Sequence, residues 1–142
     1  MKNFIKILLA PVILALNILV SPALAQEGPQ GVAISQAPEA AIGICFGDDA
    51  AKTIACAQND CMTQTGFEAI DCPVTDWCYA AGWTLDVFVQ SKEGLHWHEY
   101  SCGWATREQA ELSAKIICQP DWILGCMPVI LWSPEGERIE IF

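Results

Sequence analysis

The chain has 142 residues, 53% of them hydrophobic and 17% charged, with 17 acidic side chains against 7 basic ones. A length of this order implies one domain, and so much apolar content excludes intrinsic disorder over most of it. The few cations cannot neutralise a phosphate backbone, which excludes nucleic acid as a partner.

The chain begins with Lys2 and Lys6, an apolar run from Ile7 to Val20, a break at Ser21-Pro22, and Ala23-Leu24-Ala25. A short positive region, an apolar region and a small-x-small site are the three parts of a secretory signal peptide. Its apolar run is about 14 residues, short of the roughly 20 needed to span a bilayer. Residues 1–25 are therefore expected to be removed, leaving five cations against seventeen anions and no membrane span. A secreted or periplasmic location follows. All eight cysteines lie beyond Ala25, and an even count in an exported chain reads as four disulfides. A zinc site is the competing reading, but no C-x2-C pair occurs.

Residues 26–40, rich in Gln, Gly, Pro, Ala and Glu, read as a flexible leader to a single disulfide-rich domain over 41–142. Asp48 or Asp49 can cap a first helix beginning at Ala50. Pro73 to Tyr79 is short and apolar between breakers, as a buried strand is. Trp83 to Val89 alternates, meets Ser91-Lys92-Glu93-Gly94, and continues as Leu95 to Tyr100, which makes a hairpin. Thr106-Arg107-Glu108-Gln109 matches a capping box and opens a second helix running to Cys118. Met127 to Trp132 and Arg138 to Phe142 read as two further strands.

Cys45 and Cys61 are sixteen apart, and so are Cys102 and Cys118; Pro-Val-x-x-Trp recurs at Pro73 and Pro128. The spacing implies a duplicated helix–strand unit, with pseudo-repeats at about 43–80 and 100–133. Two units fall short of a solenoid and should share one core. The expected fold is therefore α+β, with two helices packed on one antiparallel sheet and disulfides stapling it.

Asp71-Cys72-Pro73-Val74 with Cys78-Tyr79-Ala80-Ala81, and Ser101-Cys102-Gly103-Trp104-Ala105-Thr106 leading into Ala110 to Cys118, carry a resemblance. Over about residues 40–133 the chain resembles a group of small secreted bacterial domains, domain of unknown function 4189. The first helix departs from that family in lacking glutamate almost entirely. The resemblance supports the fold and the disulfides, and implies no activity. Together with the repeat, it favours Cys61–Cys72 and Cys118–Cys126, each joining a helix end to the next strand. Cys45 with Cys102, the repeat equivalents, and Cys56 with Cys78 would complete the set.

His96 and His98 are the only histidines. On a strand, positions i and i+2 share a face about 6.5–7 Å apart, which suits two ligands of one metal. A register that sets Val87 opposite Trp97 puts Asp86 opposite His98, so Asp86, His96 and His98 could form a two-histidine, one-carboxylate site. An exposed polar strip with a cross-strand Asp86–His98 pair is the plainer reading. No catalytic residue is assigned: there is no nucleophile elbow, and Gly43 to Gly47 lacks the Lys and Ser/Thr of a phosphate loop. Carboxylates at Asp48, Asp49, Asp71 and Asp76 read as solvated loop positions rather than a glycosidase pair.

Among the six tryptophans, Trp77 and Trp132 read as core. Phe88, Trp97 and Tyr100 are candidate anchors for a partner, because aromatic side chains bury a large area with few rotors. The overall reading is a non-enzymatic binding or inhibitory module without a cofactor, steered by its negative charge toward a cationic protein or peptide. A metal-binding protein or metal-dependent hydrolase using His96, His98 and Asp86 is the alternative.

Overall fold

The computed structural model describes residues 31–141. The signal-peptide reading of residues 1–25, the first part of the leader, and Phe142 lie outside the described residues. Strands β1 (Gly31–Ala37), β2 (Ala41–Gly47) and β3 (Val74–Tyr79) form one antiparallel sheet in the order β2-β1-β3, and helix α1 (Ala50–Thr65) packs on it. Strands β4 (Trp83–Ser91), β5 (His96–Trp104), β6 (Ile123–Trp132) and β7 (Arg138–Glu140) form a second, in the order β5-β4-β6-β7, covered by α2 (Arg107–Ile117). The α+β class holds, but the single expected sheet is two.

The physical reason lies in β1. Read as part of a flexible leader, Gly31–Ala37 is instead the central strand of its sheet, buried at every residue. Val32 and Ile34 point one way, with Ile42, Ile44 and Phe46 of β2, and meet Tyr100, Ile130 and Trp132 of the second sheet. Ala33, Ser35 and Ala37 alternate with them and face α1. Burial on both faces removes the apolar–polar alternation that marks a strand in sequence. The layers therefore run α1, three-stranded sheet, four-stranded sheet, α2.

Both helices begin where the sequence places their caps. The Asp49 carboxylate accepts from the Lys52 amide at 3.1 Å, and the Thr106 hydroxyl accepts from the Gln109 amide at 3.2 Å. Gly66 closes α1 in the left-handed conformation, φ 73°, which costs a glycine nothing. Close approach of α1 to β2 requires Gly43, because a Cβ there would fall on the Ala57 carbonyl oxygen. Against α2, Leu85, Val87, Val89 and Leu131 are fully buried with Ala110 and Ala114, and each such large side chain contributes about 1.5–3 kcal/mol.

Four disulfides staple these layers: Cys45–Cys56, Cys61–Cys72, Cys78–Cys102 and Cys118–Cys126, with Cα separations of 5.9, 6.0, 6.1 and 5.6 Å. The two helix-to-strand bridges are those expected. The other two expected bridges, Cys45–Cys102 and Cys56–Cys78, do not form. Cys45 lies on the α1 face of β2, beside Cys56, whereas Cys78 leaves β3 toward the other sheet and meets Cys102 on β5. Four bridges fit an oxidising, extracellular-type setting. No helix among the described residues is long and apolar enough to cross a membrane.

Candidate functional site

Strand β4 pairs with β5 so that Val89 faces Trp97, Phe88 faces His98, and Asp86 faces Tyr100. Relative to the expected register, with Val87 opposite Trp97, β5 is displaced by two residues. A shift of two preserves the face of every side chain, so Asp86, Phe88, His96, His98 and Tyr100 do share one face. That face looks toward the three-stranded sheet. Asp86 and His98 are diagonal neighbours, and the His98 Nδ1–H donates to Asp86 Oδ1 at 2.7 Å. Asp86 is 1% exposed, between Leu85 and Val87, so this donor offsets part of the cost of burying a carboxylate.

The three candidate metal ligands are not brought together. His96 lies opposite Gln90, four residues along β4 from Asp86, which is about 13 Å at the rise of a strand. Phe88 stands beside both imidazoles, with ring centroids 5.7 Å from His96 and 5.8 Å from His98. His96 turns instead to Glu39, its Nδ1 3.4 Å from the carboxylate. No group of three potential ligands occurs among the described residues.

Nor do Phe88, Trp97 and Tyr100 form one aromatic surface. Trp97 lies on the α2 side, stacked on Trp122 with centroids 5.6 Å apart; Phe88 lies on the opposite side of the sheet. Tyr100 is 8% exposed and packed between His98 and Trp132 in the inter-sheet core. Its hydroxyl has no hydrogen-bond partner among the described residues. Burial, and then the negative charges of Asp86 and Asp76, push its pKa well above the usual phenol value. The group is therefore a neutral hydroxyl, able both to donate and to accept.

Residues outside the expected hairpin complete the site. In the β1–β2 turn, Glu39 adopts φ 62° and reaches across to β5, accepting from the His96 amide at 3.4 Å. Gln36 is buried at the end of β1, and its Nε2 donates to Thr75 Oγ1 at 3.3 Å. Asp76, read as a solvated carboxylate although within the expected strand Pro73–Tyr79, is on β3 opposite Ile34 and so points toward the second sheet. Asp49 is spent on its helix cap, while Asp48 and Asp71 are exposed. No apolar–polar alternation marks β1 in the sequence, and Pro and Gly stand on either side of it.

These side chains line two adjoining clefts between the sheets, of about 250 Å³ and 360 Å³. Gln36, Pro38, Trp97 and His98 border both; Glu39 and His96 belong to the first, Asp76, Glu99 and Tyr100 to the second. Among the described residues, no Lys or Arg lines either cleft. Carboxylates with a neutral hydroxyl and an amide can hold a cation or a hydrogen-bond donor. The chain matches no protein-family model, no curated protein and no solved structure.

Proposed function

We propose that this is an exported, disulfide-stapled, non-enzymatic binding module whose ligand is a cationic protein or peptide, docked at the mouth of the inter-sheet clefts. The observation that carries the reading is the charge of that mouth: Glu39 and Asp76 border it, Asp86 lies behind His98, and no Lys or Arg lines it. The wider excess of 17 acidic over 7 basic side chains would speed encounter with a cation. Trp97 and Phe88 act separately, from opposite faces of the second sheet, rather than as one anchor patch with Tyr100. The same reading takes the two helix–strand units as copies of one unit, which the matching Cys61–Cys72 and Cys118–Cys126 bridges support.

A lysine nonapeptide and a glutamate nonapeptide, titrated against the oxidised protein, test this. The lysine peptide should bind, and its affinity should fall about tenfold between roughly 0.02 and 0.2 M salt, as screening shortens the reach of the field. Glu39→Gln should weaken it further, whereas Glu137→Gln, away from the clefts, should not. Equal binding of both peptides, or none of the lysine peptide, would overturn the reading.

A further inference from the structure

The two inward faces of the sheets are not uniformly apolar. Val32, Ile34, Phe46, Ile130 and Trp132 meet there as an apolar layer around Tyr100. Beside them the same faces present Gln36 and Asp76 from one sheet and Asp86, His98 and Tyr100 from the other, Asp76 paired with Ile34 and Asp86 with Ile130. Sheets packed face to face ordinarily fill such a layer with apolar side chains. Here two carboxylates from opposing sheets converge without a guanidinium or ammonium, and His98 supplies the one described donor to Asp86. A buried hydroxyl with no partner, Tyr100 Oη, lies in the same place. Its loss of hydration is uncompensated among the described residues.

We infer that the cleft bounded by Gln36, Thr75, Asp76, His98 and Tyr100 is a pocket for one cationic side chain, a lysine or arginine of the docked partner. This rests on the charge-steered reading above and names the anchor within it. Asp76 is the ionic partner of the incoming cation, and the Tyr100 hydroxyl accepts one of its N–H groups while remaining a neutral donor. Asp86 keeps His98 in place as a wall of the pocket, adding negative potential without touching the ligand. The cleft volume of about 360 Å³ lies at the small end of ligand sites, suited to a single side chain. An anion would meet the Asp76 carboxylate here, with the Asp86 charge behind His98.

The probes are N-acetyl-L-arginine amide, N-acetyl-L-lysine amide and the neutral near-isostere N-acetyl-L-citrulline amide. Each is titrated into the disulfide-bonded, isotopically labelled protein, with amide shifts read at residues 75–77 and 98–101. Saturable shifts are expected with one or both cationic probes and none with citrulline; the stronger of the two identifies the anchor. Asp76→Asn should weaken binding about tenfold and Tyr100→Phe several-fold, as for loss of a charged and a neutral hydrogen bond. Spectra of both near-isosteric variants establish that they are folded. Citrulline binding equal to arginine, or Asp76→Asn binding like wild type, would overturn the pocket. So would salt-sensitive binding of the lysine nonapeptide with neither cationic amide perturbing these residues, although charge-steered docking would then stand. Conversely, amide binding with no lysine-peptide binding would leave the pocket and remove the protein-docking reading.

Discussion

Tyr100 shows how one side chain can link fold and function. Placed opposite Asp86 and facing Asp76, it is buried without a hydroxyl partner among the described residues, and its pKa in the folded chain is raised above the unfolded value of about 10. A raised value means that the folded state keeps its proton where the unfolded state loses it. The associated stability is complete below pH 10 and is lost as pH rises beyond it, at about 1.4 kcal/mol per pH unit. Urea unfolding of wild type and Tyr100→Phe at pH 9, 10 and 11 should show that slope difference, with Phe the less sensitive. Parallel pH profiles would mean that the hydroxyl is hydrated or hydrogen-bonded in solution. At the acidic end, Asp49 and Glu108 are held below their ordinary values by amide and hydroxyl donors at the helix starts. Their contribution is present at neutral pH and fades as pH falls through the folded value.

Among the elements, the helices are the most local. Thr106 caps α2 through the Gln109 amide, Glu108 sits in the first turn and Lys115 in the last, an order that suits the helix dipole. Thr106→Ala should cost about 1 kcal/mol, read as a lowered denaturation midpoint with an unchanged slope. The strands depend more on context. The β4–β5 hairpin was legible from Trp83 to Tyr100, yet its register differs by two residues, because alternation fixes the face of a side chain but not its partner. That shift separates His96 from Asp86 while leaving the Asp86–His98 pair intact. Among the site residues, Asp86 and His98 were therefore readable as neighbours. Gln36, Glu39 and Asp76 were not, since their strands come from distant parts of the chain.

Over the whole molecule, Cys78–Cys102 joins β3 to β5 and so ties one sheet to the other across the clefts. Its loop of 24 residues is the longest of the four, against 8 for Cys118–Cys126. In the chain-entropy account, removing both cysteines of the first should cost about 3.4 kcal/mol and of the second about 2.5 kcal/mol. Guanidinium unfolding of the paired alanine variants measures the difference. The inter-sheet bridge should also be the one whose loss weakens cationic binding, because Asp76 and Tyr100 lie on the strands it joins. Equal stability losses, with binding unchanged, would show that packing of Val32, Ile34, Tyr100 and Trp132 alone holds the sheets together.

The α+β class, the helix caps, the two helix-to-strand bridges and the hairpin could be read from the sequence, because each depends on residues within about 20 positions of one another. Capping oxygens, alternating side chains and neighbouring cysteines express local geometry. The second sheet, the strand role of Gly31–Ala37, the Cys78–Cys102 bridge and the polar patch of the inter-sheet layer were decided only by tertiary structure, whereas Cys45–Cys56, 11 residues apart, is as local as Cys61–Cys72 and was misassigned because the repeat pointed to Cys102. A strand buried on both faces has no alternation to announce it, and a carboxylate becomes part of a pocket only when the opposing sheet supplies the other wall. Asp76 reads as one carboxylate of a short strand until β5 brings Tyr100 to face it.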